Sequence, residues 1–569
     1  MPDELTQREF EHLQNLQRER EQLSEKLSQI DGEISRLTLE YGQAHNSQTP
    51  IFSLPNEVLL LIFEYAYYTC RFEVRDIRND EEDLGWDHCD DDRDITRTIC
   101  NNCRTIEMDL SHVCHLWRVL AHGYSELWST FNYRCRQWGY RELRLPMYLA
   151  RSRERPLDIW LDIYKQHYPQ ISMIMSILLP HAARWRRFSV RLEGGDADPS
   201  VFFRSIGPFD AKNLETFEIT LYCDNLPNTD CTVQWPGHPG RIFKNRRAPK
   251  LTSMRVDLAF SNLCWPAVSN LTVLQFDSSS NARFARAITR RSFCAILQLP
   301  NLASLTLADY ILTSNQAGPM PVIVAPNLRH LRCMDNEILT YIWGILKAPV
   351  LELLVLKGAN ISHWLFPPED SSDSPGLPYL PSLRTLCFLN CEAFDEPHSA
   401  QIFSRFAHAT RSAINVMFHV SAYSARFMDL REPGILPTSK NIFACLLESN
   451  NVIYWPNLKT LACSGKSVLT KDIETTQLVA MLLKREQELR LSCTVELCVG
   501  ERYEEYMDNW RRPNALGGGR RATLWMALQE EIFHRVIVLP QYLERWSSVW
   551  TDKVHAEFHR SSEWDFRLE

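Results

Sequence analysis

At 569 residues the chain is too long for one ordinary core, since domains run to about 100–200 residues. Hydrophobic residues make up 45% and charged residues 23%, enough for a sizeable core, and a formal net charge of -8 excludes a global electrostatic pull toward nucleic acid or anionic membrane. The Met1 end is charged without the apolar stretch of a signal peptide, and the most apolar short run, Ile171 to Leu179, is too short to cross a bilayer, so the 17 scattered cysteines are expected as reduced thiols in the cytoplasm and/or nucleus.

The first segment, 1–45, reads as a helix. Leu13, Leu16, Leu23, Leu27, Ile30, Ile34, Leu37 and Tyr41 recur at alternating steps of three and four, with Arg20 in the one gap. That heptad seam suits a coiled coil, formed with a second copy or folded onto the chain's own body. A lone amphipathic helix docked locally is the simpler alternative. Gly42 to Pro50 breaks the helix.

The second segment, 51–133, opens with Ser53-Leu54-Pro55-Asn56-Glu57-Val58-Leu59-Leu60-Leu61-Ile62-Phe63. Pro55 suits a first helical turn, and Glu57 favours the positive end of the helix dipole. Val58, Leu59, Ile62 and Phe63 share one apolar helical face. Asp80 to Asp94 then holds nine acidic residues and one Arg, the composition of a solvated loop. The apolar pattern resumes from Leu110 through Val113, Cys114 and Trp117 and ends at Leu127-Trp128.

These two stretches resemble the halves of an F-box, whose pattern is Leu-Pro-x-Glu-Ile/Val-Leu, then Val-Cys-x-x-Trp-Arg, then Leu-Trp. Every anchor is present in order. The departure is an acidic insertion, about 69–108, of the kind found in F-box proteins of mushroom-forming (basidiomycete) fungi, which the whole chain resembles. The resemblance implies docking on a Skp-family adaptor by apolar burial. It assigns Leu54, Pro55, Val58, Leu59, Ile62, Phe63, Val113, Cys114, Trp117, Leu127 and Trp128 to the adaptor face or to the module's own core.

The third segment, 134–500, repeats a pattern Leu-x-x-apolar-x-apolar. Copies begin at Leu214, Leu251, Leu271, Leu302, Leu328, Leu351, Leu383 and Leu458, with Trp185-Phe188-Val190 as a degenerate first copy and one more near Ile414-Val416-Phe418. Many start after Pro or Asn, which mark a turn. The irregular spacing predicts a degenerate leucine-rich-repeat-like solenoid, each copy one short strand in a stacked core. Residues between the apolar positions are expected to face outward, which makes Arg255, Gln275, Thr306, His330, Arg332, Val355 and Lys357 candidate target-binding residues, with Thr216, Glu218, Ser253 and Cys387 on the same rows. Phe366 to Pro381 reads as a surface loop, and Leu491 to Val499 as a strand. Residues 501–569, with Trp525, Phe533, Tyr542, Trp546 and Trp550, read as an aromatic-rich helical cap or tail.

Catalytic and metal motifs are weak. Cys100-Asn101-Asn102-Cys103 is one Cys-x-x-Cys pair where a zinc site needs four ligands. Gly517-Gly518-Gly519 lacks the Lys-Ser/Thr of a phosphate loop. The basic clusters at Arg184, Arg186, Arg187, Arg191 and at Arg246, Arg247, Lys250 read as solvated faces. The expectation is therefore an α/β protein: a coiled-coil helix, a helical F-box, and a repeat domain with a helical cap. It has no catalytic residue, cofactor or metal, and contacts neither nucleic acid nor membrane. The resemblance implies a substrate receptor of an SCF-type (Skp-cullin-F-box) ubiquitin ligase that binds an adaptor, through it a cullin, and a target protein. An F-box interaction scaffold that recruits no cullin is the alternative.

Overall fold

Residues 2–47 contain two glycines, Gly32 and Gly42, and, after Pro2, no proline, and they form a single helix, α1 (Pro2–Ser47), in a computed structural model of the chain. The residues described are 2–76, 106–134 and, between 144 and 539, the strands and helices given below with their adjoining turns; 77–105 and 540–569 lie outside them. The acidic stretch, the Cys100/Cys103 pair, the loop 366–377, Gly517 to Gly519 and the named tail aromatics all fall outside the described residues. The chain is mixed α/β and divides into two compact units, Met1–Trp128 and Ser129–Glu569.

The first unit is helical. After α1, a short turn at Pro50–Ser53 leads into α2 (Asn56–Asp76), followed by α3 (Ile106–Val113), α4 (His115–Gly123) and a turn at Ser125–Trp128. The break between α3 and α4 has a local cause. Cys114 is extended and caps α4, its Sγ accepting a hydrogen bond from the Trp117 N–H at 3.4 Å. Arg118 Nε donates back to the Ser111 carbonyl at 3.0 Å and ties the two helices together.

The second unit is built on a 14-stranded parallel sheet whose strands follow one another in chain order. It begins with β1 (Thr130–Arg134), β2 (Leu157–Tyr164), β3 (Trp185–Glu193), β4 (Thr216–Tyr222), β5 (Ser253–Asp257), β6 (Val273–Asp277) and β7 (Ser304–Leu307). It continues with β9 (His330–Cys333), β11 (Leu353–Lys357), β12 (Thr385–Leu389), β14 (Asn415–His419), β16 (Thr460–Ser464), β17 (Thr494–Cys498) and β18 (Val536–Leu539). Two small side sheets pair β8 (Ile323–Val324) with β10 (Leu346–Lys347), and β13 (Glu392–Phe394) with β15 (Ser439–Asn441).

Each Leu-x-x-apolar-x-apolar copy lies at a strand, and the copies are in register. Met254 stands opposite Leu274, then Leu305, Leu331, Leu354, Leu386, Val416 and Leu461 on successive strands. Two strands, β1 and β2, precede the first copy that the pattern identifies. Within the tail expected to be helical, Val536–Leu539 instead adds a strand against β17. Its Val-Ile-Val-Leu run is apolar throughout and β-branched at its first three positions, which suits a parallel strand better than a cap helix.

The turn before each copy is also built into the sequence. In Ala248-Pro249-Lys250-Leu251, the Leu251 N–H donates to the Ala248 carbonyl at 3.1 Å, and the same closure occurs at Leu302, Leu351, Leu383 and Leu458. The side chain just before the leucine then reaches the preceding copy. Asn213 donates to the Ala183 carbonyl at 2.8 Å, Asn270 to Pro249 at 2.6 Å, Ser382 to Pro349 at 2.6 Å, and Asn327 to Pro300. This ladder links neighbouring turns through a side chain at one fixed position. Ser382→Ala is expected to lower stability by about 1 kcal/mol, read as a reduced urea midpoint at unchanged slope. Asn270→Ala, at a more exposed rung, should cost less.

Helices α5 (Leu145–Arg151), α6 (Tyr168–Leu178), α7 (Arg290–Leu297) and α8 (Ser399–Ala409) also belong to this unit. The run expected to be too short for a membrane becomes α6, burying Ile171, Ile174, Met175 and Leu178 at helical spacing. Among the described residues no helix is long and apolar enough to cross a membrane. Aromatics fill the core near its start, with Trp185 stacked 4.5 Å from Phe188 and tilted 4.8 Å from Phe209, and Phe217 edge-on 5.0 Å from Phe243.

Candidate functional site

Helix α2 has two apolar faces, and only one is used within the unit. Leu59, Phe63 and Tyr67, four residues apart, are buried. Phe63 meets Trp117 of α4, whose ring lies 4.9 Å from Phe63 and 6.5 Å from Phe52. Trp128 closes the same core: its indole N–H donates to the Ala121 carbonyl at 2.7 Å, and the His122 ring stands edge-on at 5.9 Å. Tyr124 O–H donates to the Glu64 carboxylate at 3.2 Å, holding the end of α4 to α2.

The second face is a stripe of Pro55, Val58, Leu61, Ile62 and Tyr65, all exposed. Leu61 keeps 64% of its surface in solvent and Tyr65 75%, far more than an isolated helix-packing residue retains. These positions follow i, i+3, i+4, i+7 and define one continuous ribbon. Val113 and Val119, on α3 and α4, are also exposed. The ribbon and these two valines leave apolar surface in solvent on a folded unit.

The eleven residues assigned by resemblance therefore separate. Pro55, Val58, Ile62 and Val113 are exposed, and Leu54, Cys114 and Trp117 are half-buried. Leu59, Phe63, Leu127 and Trp128 take the second of the two places the resemblance allows, the unit's own core, with no more than 1% of each exposed. Cys114 has a local duty as the cap of α4. Leu61, Tyr65 and Val119 were missed. The first two could have been found by extending the helical step from Val58, a period that the motif pattern itself does not follow.

The sheet row expected to meet a target is also corrected. Arg255, Gln275, Thr306, Arg332 and Val355 are buried rather than outward-facing, as are Thr216, Glu218, Ser253 and Cys387. Only His330, at the start of its strand, and Lys357, at the end of its own, keep intermediate exposure. Both faces of strands such as β5 and β7 are thus buried, as is usual for parallel sheets. Alternation correctly separates the two faces but does not say whether the second one meets solvent.

The buried row carries charge, and several of its groups are paired within it. Arg255 Nε meets Asp277 Oδ2 at 2.5 Å, and Gln275 Nε2 donates to the other Asp277 oxygen at 2.8 Å. Arg332 donates to Ser304 Oγ at 3.1 Å, and Ser189 Oγ donates to Glu218 Oε2 at 3.0 Å. Asp158, also buried, receives a two-pronged contact from Arg186 at 2.9 and 2.7 Å. Burial pushes the Cys387 thiol far above its ordinary range, with the Arg332 charge pulling weakly the other way, so this cysteine is held as an inert neutral thiol. Among the described residues no cluster of three or more His, Cys, Asp or Glu side chains could hold a metal ion.

Comparison with protein-family models and with curated proteins finds no match for this chain.

Proposed function

We propose that the chain is the substrate-recognition subunit of an SCF-type ubiquitin ligase. The first unit acts as an F-box that binds a Skp-family adaptor, and through it a cullin. The observation that carries this reading is the exposed apolar ribbon Pro55, Val58, Leu61, Ile62 and Tyr65 on a helix whose opposite side is locked by Phe63, Trp117 and Trp128. Leu-Pro, Val-Cys-x-x-Trp-Arg and Leu-Trp all fall on these elements, which supports the resemblance independently of the exposure. Burial of such a ribbon is a sufficient driving force for association without chemistry.

The second unit is the target-holding domain, a degenerate leucine-rich-repeat-like solenoid. The single-file parallel register, with one motif copy on each sheet strand from β3 to β16 and turn contacts between neighbouring copies, supports that description. The ligase role needs no catalytic side chain from this chain. It supplies proximity between target and conjugating enzyme.

The test is co-elution of the purified full chain with a Skp-family adaptor, followed by addition of a cullin. A ternary complex is expected. Failure to bind the adaptor would overturn the reading, and adaptor binding without cullin would move the chain to the interaction scaffolds.

A further inference from the structure

The eight seam residues of α1, from Leu13 to Tyr41, are all exposed, at 49% to 74% of their surface, and none packs into the first unit's core. The helix they sit on has 46 residues, about 69 Å at the usual rise. Helices draw most of their stability from packing an apolar face, so a seam of this length calls for a partner. We infer that α1 pairs with the α1 of a second copy as a parallel, in-register, two-stranded coiled coil.

The charges beside the seam select that partner and that direction. With Leu13 and Leu16 as the first a and d positions, the g positions are His12, Glu19, Lys26, Glu33 and Glu40, and the e positions are Gln17, Ser24, Asp31, Thr38 and His45. In a parallel pair each g residue faces the e residue five positions on in the other chain. Lys26 then faces Asp31, Glu40 faces His45, and Glu19, Glu33 and His12 face uncharged Ser24, Thr38 and Gln17. No g–e pair carries like charges.

Antiparallel pairing is penalised instead. The arrangement that sets Leu13 against Leu37 leaves Tyr41 outside the seam and sets Lys26 against Lys26 and Glu19 against Glu33. Sliding it by one heptad sets Leu13 against Ala44, and there the attraction of Lys26 for Glu33 is offset by Glu19 against Glu40. A second copy in parallel is therefore the complementary partner.

Arg20 fixes the register. It is the one charged residue in an a position, and in the in-register dimer the two Arg20 side chains lie at the same level, each within reach of Glu19 of the other chain. A slip of one heptad would place Arg20 against Leu13 or Leu27. A polar a residue of this kind gives up some stability and specifies register and strand number.

Sedimentation of the full chain across a concentration series tests the inference. The expected mass is twice the 66.3 kDa of one chain. Asp31→Lys sets two like-charge pairs into the parallel dimer and should weaken it roughly tenfold, while leaving either antiparallel form unaffected. Lys26→Glu combined with Asp31→Lys should restore the dimer only if the strands are parallel. Leu27→Glu should give monomers whose second unit melts as in the wild type. A wild-type chain that stays at 66.3 kDa, a dimer that survives removal of residues 1–47, or an Asp31→Lys variant with unchanged affinity would each overturn the proposal. Adaptor binding is a separate readout and is not needed for any of these outcomes.

Discussion

Ile62→Asp is expected to weaken adaptor binding by at least about 100-fold, roughly 2.7 kcal/mol, while leaving the melting of the first unit unchanged. Ile62 sits in the exposed ribbon with 37% of its surface in solvent, so a carboxylate there is hydrated in the free chain. On docking, that carboxylate would be stripped of water against an apolar surface. Phe63, one residue on, should behave in the opposite way. It is fully buried against Trp117, and Phe63→Ala should cost about 3–5 kcal/mol and disorder the unit. Binding titrations and thermal melts of the two variants, side by side, separate an interface residue from a core residue. Equal adaptor affinity for Ile62→Asp and wild type would remove the ribbon from the interface.

Arg255→Ala is expected to destabilise the second unit by about 3–5 kcal/mol, because it leaves the Asp277 carboxylate without its cation in a largely dehydrated row. Arg255 is 2% exposed and cannot be replaced there by water without opening the sheet. Replacing both partners by apolar residues of similar volume, as in Arg255→Met with Asp277→Leu, should recover most of the loss, since the dehydration cost of both charges disappears. Urea unfolding gives the magnitude, and amide exchange at β5 and β6 locates it. If Arg255→Ala and the double variant were equally unstable, packing rather than charge would hold this part of the sheet.

These two results bear on how the proposed receptor would work. The strand row from Glu218 to Cys387 is internal framework, so a target would be held by strand ends and connections, where His330 and Lys357 keep part of their surface. The repeat unit is then a scaffold whose charged interior fixes strand register. The ribbon on α2 remains the surface with the clearest claim to a partner.

Much of this architecture could be read directly. The three–four spacing from Leu13 to Tyr41 specifies α1, and the Leu-x-x-apolar-x-apolar copies specify the strands and their shared register, because periodicity is a local property of the chain. The Pro and Asn or Ser before each leucine specify the turns for the same reason. The strands β1, β2, β17 and β18 lie outside the repeat pattern, since each has another residue at the position of the leading leucine; of the four, alternation alone marks only β17 as a strand.

Only the tertiary structure decided which apolar and polar faces meet solvent. Phe63 and Ile62 are equally apolar, and nothing local to α2 says that one packs on Trp117 while the other stays exposed. Arg255 and Lys357 lie on the same alternating face, yet one is sealed beside Asp277 and the other reaches the edge. Burial is set by what the chain brings over a residue from tens of positions away, and that long-range packing is absent from any short window of sequence.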